Sequence, residues 1–120
     1  MSGLVDQSAD ARSKTIGQNF RVRAWVNFNG TGTIAIRDSG NVSSLTDHGT
    51  GIYTVGFTNA MPDADYTAVV GGEVNNSNHD VRRNNRIWNF ASTHVRVVTG
   101  YNGNSDTKED YTHVTVAVIR

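Results

Sequence analysis

From residue 20 the chain alternates: Phe20, Val22, Ala24, Val26 and Phe28 fall on one side of an extended backbone, and Arg21, Arg23, Trp25 and Asn27 on the other. Successive side chains of a β-strand point to opposite faces, so this period of two demands a strand with one apolar face. The second face is not ordinary solvated surface. Trp25 stands between arginines there, as in a cation–π stack or a contact with another chain. Asn29-Gly30-Thr31-Gly32 follows, and Asn-Gly readily takes the positive φ values of a tight turn. Residues 33–37 are therefore expected to return as the second strand of a hairpin, with Ile34 and Ile36 inward.

The pattern recurs along the chain. Asp38-Ser39-Gly40-Asn41 reads as a turn before a strand over residues 42–46. Asp47-His48-Gly49-Thr50-Gly51 leads into residues 52–58, where Tyr53, Val55 and Phe57 alternate. The single proline, Pro62, follows Met61 in a connection and interrupts no strand. Residues 66–74 continue in extended form, residues 87–91 and 94–99 read as short strands, and residues 111–120 close with Val114, Val116 and Val118 alternating. That last strand is expected to tie the C-terminus into a sheet. Residues 75–86 and 101–110 are polar, show neither period, and are expected to be loops. About eight short strands at regular spacing predict an all-β fold, an antiparallel β-sandwich. Residues 1–18, where Ala9, Ala11 and Ile16 are too sparse for an apolar stripe, read as a linker or short N-terminal segment ahead of a domain over residues 19–120.

Composition narrows the function. Eleven Lys and Arg cancel eleven Asp and Glu, so no global field concentrates the chain on nucleic acid or on an acidic membrane. No apolar run approaches the ~20 residues of a membrane span, and Met1-Ser2-Gly3-Leu4-Val5-Asp6 lacks the basic start and apolar stretch of a signal peptide. A soluble protein is expected, with neither nucleic acid nor membrane insertion among its partners. The absence of cysteine excludes disulfides, thiol catalysis and thiolate zinc sites. With 37% hydrophobic residues in 120, the core of one domain is thin, and a partner subunit would help complete it.

Candidate chemistry is sparse. His48, His79, His94 and His113 sit at no ligand spacing, so no metal and no cofactor is expected. Gly40-Asn41-Val42-Ser43-Ser44 is no nucleophile elbow. Asp47, Asp63, Asp65, Asp80, Asp106, Glu109 and Asp110 include carboxylates enough for glycoside cleavage, but most lie where aspartate serves as a turn residue. The segment Asn75, Asn76, Asn78, His79, Arg82, Arg83 and Arg86, running up to Trp88, is different. Amides, guanidinium groups and an aromatic ring are what holds sugar hydroxyls or acidic surface groups, although a solvated hairpin end explains the polarity alone. Tyr101, Asn102, Asn104 and Asp106 form a second candidate.

The run Arg23-Ala24-Trp25-Val26-Asn27-Phe28-Asn29-Gly30-Thr31-Gly32-Thr33-Ile34-Ala35-Ile36-Arg37 resembles a module of tail-fibre and related tail proteins of tailed bacteriophages. The likeness continues through Ser39-Gly40-Asn41-Val42-Ser43-Ser44-Leu45-Thr46-Asp47, Gly49-Thr50-Gly51-Ile52-Tyr53-Thr54-Val55 and Ala60-Met61-Pro62-Asp63-Ala64-Asp65-Tyr66. It returns in His94-Val95-Arg96-Val97-Val98-Thr99 and Tyr111-Thr112-His113-Val114-Thr115-Val116-Ala117-Val118, so it covers roughly residues 20–70 and 94–120. Residues 72–90 and 101–110 depart from it. The resemblance implies a distal fibre domain on the virion tail, assembled as a homotrimer and contacting the host bacterial surface, with no catalytic motif to carry over. Arg21, Arg23 and Trp25 are then candidates for the subunit interface. The expectation is a non-enzymatic adhesin that binds a host surface glycan or protein. Two alternatives stand beside it: a structural trimerisation or tip domain, and a polysaccharide-degrading enzyme with paired carboxylates in a groove.

Overall fold

The computed structural model describes residues 21–74, 83–102 and 106–120. They form strands β1 (Val22–Asn29), β2 (Ala35–Gly40), β3 (Val42–Asp47), β4 (Ile52–Phe57), β5 (Thr67–Glu73), β6 (Arg83–Phe90), β7 (His94–Asn102), β8 (Asp106–Lys108) and β9 (His113–Ile119). All pairings are antiparallel, in two sheets. The first has the order β2-β1-β9-β5 and the second β3-β4-β7-β6, with β8 also paired to β7. The sequence's expectation of an all-β sandwich is met. The last strand lies in the middle of the first sheet, between β1 and β5, so its alternating valines sit at the centre of the core.

The inner faces supply that core. Ala24, Val26 and Phe28 of β1 and Val114, Val116 and Val118 of β9 face Tyr53, Val55 and Phe57 of β4 and Val95 and Val97 of β7, all buried. Burial of one such Val or Phe side chain contributes ~1.5–3 kcal/mol. The sheets are keyed by edge-to-face rings, Phe28 on Tyr53 at 5.1 Å and Phe57 on Tyr66 at 5.9 Å.

The chain changes sheets between β2 and β3, and Asn41 makes that corner. Its φ is 57°, a left-handed value that asparagine tolerates. Its side chain fastens the corner, donating to Arg23 O (2.9 Å) and Asn59 O (3.1 Å) and accepting from Asn59 N (2.7 Å). A second polar cluster closes the end where the β1–β2, β3–β4 and β8–β9 connections meet. The Tyr53 hydroxyl donates to Asp110 Oδ1 at 2.7 Å and lies 2.9 Å from Gly30 O, while Gly51 N donates to the same carboxylate oxygen at 2.8 Å. Burial first, then the Asp110 hydrogen bond and charge, raise the Tyr53 hydroxyl well above the usual phenol range. Thr99, fully buried, donates to Glu109 O at 2.6 Å.

Several sequence expectations need correction. Residues 83–86 are not loop: Arg83 pairs with Tyr101, Asn84 with Gly100, Asn85 with Thr99 and Arg86 with Val98. Nor are residues 101–110 one loop, because β7 extends through Asn102 and Asp106–Lys108 pairs back onto it as β8. In both places backbone pairing to β7 makes the strand, while the side chains, mostly polar on both faces, carry no period. Val22 is 55% exposed rather than inward, beyond a register shift between Val22 and Ala24. Ile36 is likewise 39% exposed on the edge strand β2, whereas Ile34 packs on the core. The expected turn over residues 38–41 narrows to Asn41, because β2 continues through Gly40.

Candidate ligand-binding face

The outward positions of the second sheet carry the arginine and tryptophan that the sequence singled out. Inward Val95, Val97 and Thr99 of β7 force His94, Arg96 and Val98 outward. On the neighbouring strand Arg86 pairs with Val98 and takes the same face. Between Ile87 and Asn89 the register slips by one residue. Such a bulge inserts an extra residue and re-aims its side chain. That residue is Trp88, 52% exposed.

Arg96 ties the row together. Its guanidinium carbon lies 5.3 Å from the centre of the Trp88 ring, a cation–π distance. Its Nε–H donates to Thr54 Oγ1 on β4 at 3.2 Å, and that hydroxyl is 2.7 Å from His48 Nε2 at the start of the β3–β4 turn. Trp88, Arg96, Thr54 and His48 therefore cross the whole sheet as one connected polar line. Arg96 occupies one side of the indole, yet half of the residue's surface stays open, so a flat apolar platform stands beside fixed donors. This combination suits a ligand with both hydroxyls and C–H faces. Next to the row, β6, β7 and β8 enclose a shallow depression of about 130 Å³ lined by Asn84, Arg86, Val98, Gly100 and Lys108, among others.

The sequence candidates divide accordingly. Arg86 and Trp88 are brought together on this face, and Tyr101, half-buried on β7, borders the depression. Arg83, Asn102 and Asp106 have their backbones in β6, β7 and β8. Asn75, Asn76, Asn78, His79, Arg82 and Asn104 lie outside the described residues. Arg96, Thr54 and Lys108 escaped the sequence reading, and His48 was weighed there only as a metal ligand. Arg96 was findable, because a charged residue between Val95 and Val97 in an alternating strand must point outward.

The first sheet presents a different outer surface. Trp25 (41% exposed) pairs with Ala117, and Ala117 pairs with Val69 (52% exposed), giving one apolar row across β1, β9 and β5. This row and the adjoining Asn27, Gly71 and Thr115 line a broad groove. The indole lies over Gly40 of β2, where any Cβ would collide with it. Arg23 bends along the edge and donates from Nε to Arg120 O at 3.2 Å, and Arg21 is exposed.

The aspartates serve largely as turn acceptors. Asp38 takes the amide of Ser39, Asp47 that of Gly49, and Asp63 that of Asp65. Asp63 also receives Arg120 Nη2 at 2.8 Å, and that bond holds its carboxyl below the usual range while raising the guanidinium. Among the described residues no three His, Asp or Glu side chains gather as metal ligands do. In comparisons with known proteins, no family model matches the chain, and no curated protein and no solved structure matches it either.

Proposed function

We propose that the chain is the receptor-binding domain of a bacteriophage tail fibre, a non-enzymatic adhesin that sits as a homotrimer on the virion tail and attaches to a glycan or protein of the host surface. The observation that carries this reading is the Trp88–Arg96 pair on the outer face of the second sheet. An exposed indole braced by an arginine that is itself anchored through Thr54 is pre-ordered before any ligand arrives, and ordering costs are what weaken binding by loose surface side chains. A merely solvated sheet face has no need of it. The resemblance of residues 20–70 and 94–120 to tail-fibre modules supplies the biological setting.

The trimer draws support from the other tryptophan. The Trp25–Ala117–Val69 row is apolar and open, and subunit interfaces have such cores, enriched in aromatic residues. In this reading a second copy covers the row, with Arg21 and Arg23 at the rim. Three copies present three ligand faces, which multiplies a weak single-site affinity, by ~10² or more when geometry allows simultaneous engagement.

The test is adsorption of the labelled protein to susceptible bacteria, parent against Trp88→Ala. Decoration by the parent and its loss in the variant are expected. Shortening of intact host polysaccharide during incubation would instead establish a depolymerase. Absence of binding to cells and glycans alike would leave a structural tip.

A further inference from the structure

We infer that the ligand of this face is an acidic saccharide, whose anionic group enters the depression between β6, β7 and β8 while a neighbouring sugar ring covers Trp88; this rests on the receptor-binding reading above. Arg86 and Lys108 both line that depression. Neither Arg86 nor Lys108 takes part in the Arg120–Asp63 ion pair or in the His113–Glu73 contact. Two cations thus line one recess. The chain as a whole has no net charge, so the concentration is local and not a by-product of a basic protein. Arg86 on β6 and Lys108 on β8 stand on opposite sides of β7, and an anion seated between them gains charge-assisted hydrogen bonds from the guanidinium fork.

Shape agrees with charge. Gly100 allows β8 to close on β7, since a Cβ there would come 2.6 Å from Thr107 O, and this approach brings Lys108 to the recess. At about 130 Å³ the space is small beside the ~300–1,000 Å³ that enclose a whole drug-sized ligand. It takes one group of a larger molecule. Asn84, paired with Gly100 on the far side from β8, offers an amide for hydroxyls adjoining the anion. Arg86 and Trp88 are two residues apart on one strand, ~7 Å at the usual rise, so a charged substituent and an adjacent ring of one saccharide reach both. Carboxylate and phosphate share this chemistry, and both occur on saccharides.

Titration calorimetry of the full chain decides the matter, using three oligosaccharides of equal length: neutral, uronate-containing and phosphate-substituted. The parent should bind at least one acidic probe tenfold or more tighter than the neutral one, with a gap that narrows as salt rises. The preferred probe identifies the anion. Because Arg86 is exposed and Lys108 is exposed, the double variant Arg86→Gln/Lys108→Gln should fold as the parent does by circular dichroism and lose the preference for acidic over neutral probe. Each single variant should lose part of it. Equal affinity of the parent for all three probes, or a preference untouched by the double substitution, overturns the acidic ligand while leaving attachment through Trp88 standing. If no probe binds and Trp88→Ala adsorbs to cells like the parent, both readings fall.

Discussion

Each sheet of the sandwich exposes one tryptophan on its outer face, and the neighbours of the two differ in kind. Trp25 lies in a row with Ala117 and Val69, above a glycine. Trp88 lies under Arg96, which is held by Thr54 and followed by His48. An apolar row gains from losing water altogether, as between subunits, whereas an aromatic ring beside fixed donors gains from a ligand that keeps its own hydrogen bonds. The same residue type therefore stands in two different settings, and residue content alone does not distinguish them.

The contrast can be broken at either end. The largest effect is expected from Trp88→Ala: removal of a central aromatic contact costs ~2 kcal/mol or more per site, about 30-fold, and avidity in the proposed trimer would compound it, so adsorption to cells should fall to background while light scattering still reports the assembled state. Trp25→Ser should do the reverse, weakening assembly by about tenfold or more in sedimentation while each monomer keeps its calorimetric affinity for ligand. A variant that lost both properties together would show the faces to be coupled.

Two further substitutions sharpen the comparison by acting on neither face. Tyr53→Phe removes the hydroxyl bonded to Asp110, and loss of a hydrogen bond to a charged group costs ~1.5–3 kcal/mol of stability by denaturant titration. The same hydroxyl has a raised folded-state pKa, so its contribution is full below the unfolded phenol pKa of ~10 and is lost as pH climbs above that value. The variant should therefore show a shallower fall in stability above pH ~10. Asp63→Asn gives the smallest effect. The carboxyl is depressed in the fold by Arg120, so its stabilising share is present above the unfolded pKa of ~4 and disappears as pH falls further. Acid unfolding should lose a small component in the variant, with adsorption unchanged.

What the sequence revealed follows the same division. Strands β1, β4 and β9 were legible because apolar side chains recur at every second position along their inner faces, so a period of two is printed in the residues. Strands β6 and β8 were not, because Asn84, Arg86, Thr107 and Lys108 lie at exposed positions and the flanking positions are mostly polar too. Only the hydrogen bonds of β7 identify them. The site was half legible for that reason. Trp88 and Arg86 stand out by residue type, but their meeting with Arg96 depends on the β6–β7 register and its slip at Trp88, a property of two strands together. Attention to the polar segment pointed to a loop, and the described part of it proved to be a sheet face. The Tyr53–Asp110 bond likewise joins residues far apart in the chain and left no local signature.

With two tryptophans in the chain, the separation of the faces can be read directly by fluorescence quenching with acrylamide. Trp88→Phe leaves Trp25 as the reporter, and Trp25→Phe leaves Trp88. At concentrations where the protein is assembled, Trp25 should be shielded and indifferent to added host glycan, while Trp88 should be freely quenched until glycan is added and protected afterwards. A Trp25 as accessible as a free indole, or a Trp88 whose quenching does not change when glycan binds, would contradict the assignment of one face to assembly and the other to attachment.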